Sequence, residues 1–143
     1  MKLSSLLLGV VFAGVVIAVL LLVLGVRFHP TTSLQGAALY NSANEVTVKG
    51  VVTAVDEFAC PVSEGELGSH LMLKTADGVL QIHLAPARVV HGQNLVFSPG
   101  DQLQVVGARV ELYGKSGLIA QEITRGNESY IFRDHDGKLL MVQ

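Results

Sequence analysis

Hydrophobic and polar positions follow two different rules along this chain. From Leu3 to Val26 the run is uncharged and almost wholly apolar, bracketed by Lys2 and Arg27. At about 1.5 Å per residue a helix over this run reaches roughly 36 Å, enough to cross a hydrocarbon core of about 30 Å with some tilt. From Glu45 onward the apolar residues recur at every second position, the period of a half-buried strand. Val46, Val48, Val51 or Val52, and Val55 predict a long first strand with a bulge or sharp coil at Gly50. His70 to Thr75 and Val79 to Leu84 alternate on either side of Ala76-Asp77-Gly78, and Asp-Gly between two alternating runs is a strong hairpin signal. Ala87 to Gly92 predicts a short helix, and Pro99-Gly100-Asp101 turns the chain into Leu103, Val105 and Val106. Leu118 to Ile123 and Tyr130 to Arg133 predict two more strands, with Asp136-Gly137 turning into a last one over Lys138 to Val142.

A long coiled strand, a hairpin, a short helix and two further strands are the order of an OB-fold. The expected architecture is therefore all-β, a small OB-fold-like barrel with an added C-terminal hairpin, preceded by one N-terminal transmembrane helix. A small β-sandwich is the alternative. Residues 1–27 form the anchor, 28–44 a tether with a short helical turn around Gln35 to Tyr40, and 45–143 the barrel domain. A cleaved secretory signal is the rival reading of the N-terminus. Its apolar stretch usually runs about 7 to 15 residues, whereas here Val19 to Val26 continues apolar past the small-residue site Val16-Ile17-Ala18. Lys2 on one side nearly balances Arg27 and His29 on the other, so the length of the C-terminal domain decides the expected topology, with the barrel outside the cytoplasm. Ser5, Gly9 and Ala13 recur every four residues and share a helix face, which suits close packing against another membrane helix.

Charge narrows the partners. With Lys2 and Arg27 set aside, 8 basic residues face 12 acidic ones, a formal charge of −4 for the tether and barrel. That balance repels phosphate backbones, so nucleic acid is not an expected partner. Cys60 is the sole cysteine, which rules out an intrachain disulfide and a multi-cysteine zinc cluster. No Gly-rich phosphate loop opens a helix after a strand, and no Ser, His and acid set announces nucleophilic catalysis. A non-catalytic domain is the expectation.

Val48-Lys49-Gly50-Val51-Val52, His70-Leu71 and His83-Leu84 flanking Asp77-Gly78, Pro99-Gly100-Asp101 with Gly107 beyond, and Ile119-Ala120-Gln121-Glu122-Ile123 resemble the bacterial membrane-anchored or secreted OB-fold proteins. The resemblance covers Glu45 to Ile123 and implies a bacterial inner-membrane protein, single-pass, with its C-terminal domain extracytoplasmic. The architecture is also similar to the haem chaperone of cytochrome c maturation, which attaches haem through a His followed four residues later by Tyr. Here His29, His70, His83, His91 and His135 are followed at that distance by Ser33, Lys74, Ala87, Leu95 and Leu139, so covalent haem carriage is not expected.

The hairpin supports a sharper inference. A turn at Asp77-Gly78 sets Leu71 opposite Leu84, Leu73 opposite Ile82 and Thr75 opposite Leu80, an apolar core face. The outer face then carries Met72 opposite His83, His70 diagonal to His83, and Lys74 opposite Gln81. Two imidazoles and a thioether converge there, and Cys60 lies in the loop feeding His70. His, Met and Cys are soft or borderline ligands that suit copper, while His suits zinc. The bland alternative is a solvated hairpin face, since no carboxylate is placed to orient the imidazoles. The leading expectation for function is a membrane-anchored accessory module, held in membrane lipid and docking on other membrane-protein subunits. The alternative is a metal-binding or metal-delivery protein using His70, Met72, His83 and Cys60.

Overall fold

The structure is a computed structural model and describes residues 34–140. No helix among the described residues is long and apolar enough to cross a membrane. The Leu3 to Val26 run, with Ser5, Gly9 and Ala13, lies outside them.

Six strands follow a short helix α1 (Leu34–Leu39): β1 (Glu45–Ala59), β2 (Leu67–Thr75), β3 (Gly78–Pro86), β4 (Gln102–Leu112), β5 (Lys115–Arg125) and β6 (Glu128–Ile131). Helix α2 (Ala87–Gly92) connects β3 to β4. The order across the sheet is β3-β2-β1-β4-β5-β6, and a parallel pairing of β3 with β5 through Gln81↔Gly117, Ile82↔Leu118 and His83↔Ile119 closes the first five strands on themselves. A closed five-stranded barrel with its helix between the third and fourth strands is the OB topology. The sandwich alternative is thereby excluded.

Strand β1 serves two neighbours. Its first half pairs with β4 and its second with β2, with Val51 registered against both Gln102 and Lys74. The chain crosses between partners at Gly50, where a Cβ would lie 2.4 Å from the Lys74 carbonyl oxygen and 2.8 Å from Leu73 Cγ. The bulge itself falls between Val52 and Ala54, so Gly50 is required by close backbone approach and not by a bulge. Gly50→Ala is expected to cost about 2 kcal/mol, since the obstacle is main chain and cannot rotate away. Urea unfolding checks this, and a wild-type midpoint would show the crossing to be looser than drawn.

The core is built by alternation. Val52, Leu71, Leu73, Ile82, Leu103, Val105, Leu118, Ile123 and Phe132 are buried together inside the barrel. A second cluster, comprising Tyr40, Cys60, Val62, Ala108 and Ile119, packs on its outside.

Three sequence expectations are corrected. The β2–β3 hairpin turns at Ala76-Asp77, so Leu71 pairs with Ile82, Leu73 with Leu80, Met72 with Gln81, and His70 with His83. The Thr75 hydroxyl accepts from the Asp77 amide at 3.2 Å and donates to the Gly78 carbonyl at 2.9 Å, which holds this tighter turn. Strand β4 runs on to Leu112 and meets β5 through Tyr113-Gly114, both at positive φ (52° and 72°), a turn that a tyrosine conceals in the sequence. Among the described residues the C-terminal hairpin, whose last strand is expected over Lys138 to Val142, keeps one bridge, Arg133↔Leu139, because Asp134 Oδ1 takes the amides of Asp136 and Lys138 at 3.0 and 2.9 Å and curls the chain into a loop; Met141 and Val142 lie outside the described residues.

Candidate metal centre

Cys60 ends β1 and opens a 3-10 turn over Pro61–Ser63. Its carbonyl accepts from the Ser63 and Gly65 amides and from the Ser63 hydroxyl, and that hydroxyl also donates to the Glu66 carbonyl at 2.6 Å. Glu64 and Gly65 at positive φ complete the reversal. This loop folds Cys60 over the face of β2 and β3 that carries the histidines.

His70 and His83 stand directly opposite on β2 and β3, their rings edge to face with centroids 4.7 Å apart. Cys60 Sγ lies 3.3 Å from His70 Nε2 and 3.7 Å from His83 Nδ1. One ligand atom from each of the three residues falls within 4.8 Å of the others. Phe58 of β1, two residues before the cysteine, stacks on His70 with ring centroids 3.7 Å apart and planes 6° from parallel. Two glycines make room. A Cβ at Gly68 would stand 3.1 Å from His70 Cε1, and one at Gly117 of β5 would stand 3.3 Å from His83 Nε2 and 2.8 Å from the Gln81 carbonyl.

The hairpin face expected to be solvated is therefore buried: His70 and His83 are 1% and 4% exposed. The reason is tertiary, since Phe58, the Cys60 turn and β5 cover a face that the hairpin alone leaves open. Burial pulls the His83 pKa down to about 4, helped by the neighbouring charges of His70 and Arg133. It lowers the His70 pKa as well, opposed by the nearby backbone of Gly68 and Asp56 and by the Asp56 charge. Both rings are neutral at pH 7, the form that offers a lone pair to a metal. No partner meets His70 Nδ1 in hydrogen-bonding geometry, although the atom is buried.

Of the four residues expected at a metal site, Cys60, His70 and His83 come together. Met72 is half-buried opposite Gln81 and lines a cleft of about 610 Å³ that also reaches Phe58, Cys60 and His83. Arg88 forms an exposed ion pair with Glu66 at 2.9 Å. Arg125 joins Asp101, Glu128 and the Tyr130 hydroxyl in a network at the barrel end. Tyr130 packs edge to face on Phe97, and Phe132 is wholly inside the core.

Arg133 departs furthest from expectation. Flanked by Asp134 and Asp136, it reads as part of a solvated ion-paired hairpin, yet it is 3% exposed and donates from Nη1 to the carbonyls of Leu84 and Ala120. Alternation inward from Phe132 does not anticipate this, because Arg133 enters from the irregular segment after β6.

The family model of the MamS/MamX magnetosome proteins matches residues 44–130 of this chain. The chain belongs to the MamS/MamX magnetosome protein family. The matched stretch of this MamS/MamX member holds the first five strands, all but the last residue of β6, and all three metal-ligating candidates, and stops short of Phe132 and Arg133. None of the curated proteins compared with it matches. Among solved structures it is similar to the Stn1–Ten1 complex of S. pombe, at 16% identity and a TM-score of 0.44 over 59% of this chain and 59% of that one. It is similar to the single-stranded DNA binding protein of Thermus aquaticus, at 20% identity and a TM-score of 0.46 over 59% of this chain and 41% of that one. It is similar also to the N-terminal domain of PriB from Thermoanaerobacter tencongensis, at 21% identity and a TM-score of 0.41 over 60% of this chain and 99% of that one. The chain thus spans well under two thirds of the first two.

Proposed function

We propose that this MamS/MamX protein is a membrane-anchored, non-catalytic accessory module of the magnetosome whose barrel holds one transition-metal ion, copper or zinc, between Cys60, His70 and His83. The observation that carries the reading is the convergence of one thiol and two neutral imidazoles, all buried, within 4.8 Å. Burying three polar side chains together is costly unless their polar atoms are satisfied, and here one thiol is shared between the His70 and His83 rings and the Ser63 hydroxyl, at 3.3, 3.7 and 3.4 Å. A soft or borderline cation would satisfy them. A thiolate with two imidazoles suits copper or zinc, and the absence of a carboxylate from this group disfavours calcium, magnesium and the two-His, one-carboxylate iron arrangement. The apolar run Leu3 to Val26 and the magnetosome family support placement at a bacterial membrane; in this reading the barrel is extracytoplasmic and the Ser5, Gly9 and Ala13 face is available to a neighbouring subunit. The acidic domain does not favour nucleic acid.

Titration of the full-length protein in mild detergent with Cu(I), under anaerobic conditions, or with Zn(II) tests this. One ion per chain is expected, with affinity falling more than about a hundredfold in Cys60→Ser and His83→Ala. Met72→Leu separates a three-ligand from a four-ligand centre, and the geometry favours three. Equal binding by wild type and both ligand variants would end the metal reading and leave only the docking module.

A further inference from the structure

Arg133 is a buried cation with no carboxylate within ion-pair distance among the described residues. Its two carbonyl acceptors place it precisely in relation to the metal-binding group. Leu84 follows His83 on β3, and Ala120 follows Ile119, the residue registered against His83 on β5. The guanidinium is thus tied to both backbones that flank His83. Its charge adds to burial and to His70 in holding the His83 pKa down.

We propose that Arg133 is a specificity-determining residue that biases the Cys60–His70–His83 centre toward monovalent copper and against divalent ions. The inference rests on the metal-binding reading above. Binding replaces the Cys60 Sγ proton, which leaves to solvent. With one thiolate and two neutral imidazoles, Cu(I) then forms a group of net charge zero. Zn(II) or Cu(II) leaves a net charge of +1 in the same buried space, beside strands whose backbone the guanidinium binds at Leu84 and Ala120. A neutral group loses little on leaving water, whereas a buried charge beside a like charge is penalised twice, by desolvation and by repulsion. A guanidinium holds its proton under all ordinary conditions, so the bias does not switch off. Three ligands without a carboxylate also match the low coordination that suits a soft monovalent ion.

The test uses full-length wild type, Arg133→Gln and Arg133→Met, with Cu(I) and Zn(II) affinities measured anaerobically by competition with chromophoric chelators. Gln keeps a donor for the two carbonyls without the charge, and Met removes both. The Cu(I)-to-Zn(II) affinity ratio is expected to fall by roughly tenfold or more in both variants. A ratio that is unchanged in Arg133→Gln, with both metals bound, overturns the inference and leaves the metal centre standing. Failure of wild type to bind either ion overturns the metal reading itself. Wild type alone supplies a second readout, because its bound copper is expected to have a midpoint potential above that of the aqueous copper couple. A potential below it counts against the role of Arg133 even if every variant misfolds.

Discussion

Phe132→Ala is expected to lower the stability of the protein by about 4 kcal/mol, the cost of deleting a large aromatic ring from a closed core. Phe132 is 0% exposed and packs among Leu71, Ile82, Leu118 and Ile123 at the centre of the barrel. Its backbone is held on both sides, the amide donating to the Gln121 carbonyl at 2.7 Å and the carbonyl accepting from the Leu140 amide at 2.9 Å. Little can collapse into the vacated space, since these side chains belong to three strands, β2, β3 and β5, that are hydrogen-bonded to one another around the barrel. Equilibrium urea unfolding followed by far-UV circular dichroism measures the loss. A change below about 1 kcal/mol would mean that the segment after β6 is not part of the cooperative unit, and that Arg133 is not fixed where it is drawn.

Metal-free protein is expected to lose stability as the pH falls from 7 to 5, by about 2 kcal/mol from His83 alone, approaching about 3 kcal/mol near pH 4. The direction follows from proton uptake. In the unfolded chain His83 titrates near its ordinary 6.5, whereas in the barrel burial holds it at about 4. Between those values the unfolded state binds the proton and the folded state does not, so each step downward in pH favours unfolding. His70, also depressed by burial, acts in the same direction. Of the titratable groups around His83, His70 and Arg133 both oppose its imidazolium, and Cys60 meets its Nδ1 at 3.7 Å. Urea midpoints at pH 7 and pH 5, for wild type and His83→Gln, isolate the contribution, and the slope is expected to flatten in the variant. Identical slopes would place the origin of the acid sensitivity elsewhere.

How much of this was legible beforehand depended on the range of the interactions involved. Period-two alternation marked β1, β2 and β3, and Pro86 together with the run Ala87 to Gly92 marked α2, because these signals are local to a few residues. The hairpin register came out two residues from the true one. Asp77-Gly78 is the stronger local turn signal, whereas the chain turns at Ala76-Asp77, whose stability comes from the Thr75 side chain. A shift of two preserves the parity of a strand, so the same residues stayed on the same face while their partners changed. His70 moved from diagonal to directly opposite His83 for that reason alone.

The candidate centre divides in the same way. Its residue types and the shared face of His70, Met72 and His83 follow from strand parity, which covalent geometry imposes on any such hairpin. Burial of that face does not. It needs Phe58 and the Cys60 turn from the end of β1, the missing side chain at Gly117 on β5, and the loop that brings Arg133 back beside Leu84 and Ala120. The amino-acid order by itself thus determined which side chains share a face, because that depends on neighbours two positions apart. Only the closed barrel decided that the face is dry, that a thiol completes it, and that a buried cation is tied to the strands beside it, because each of those depends on distant chain segments meeting when β3 pairs with β5.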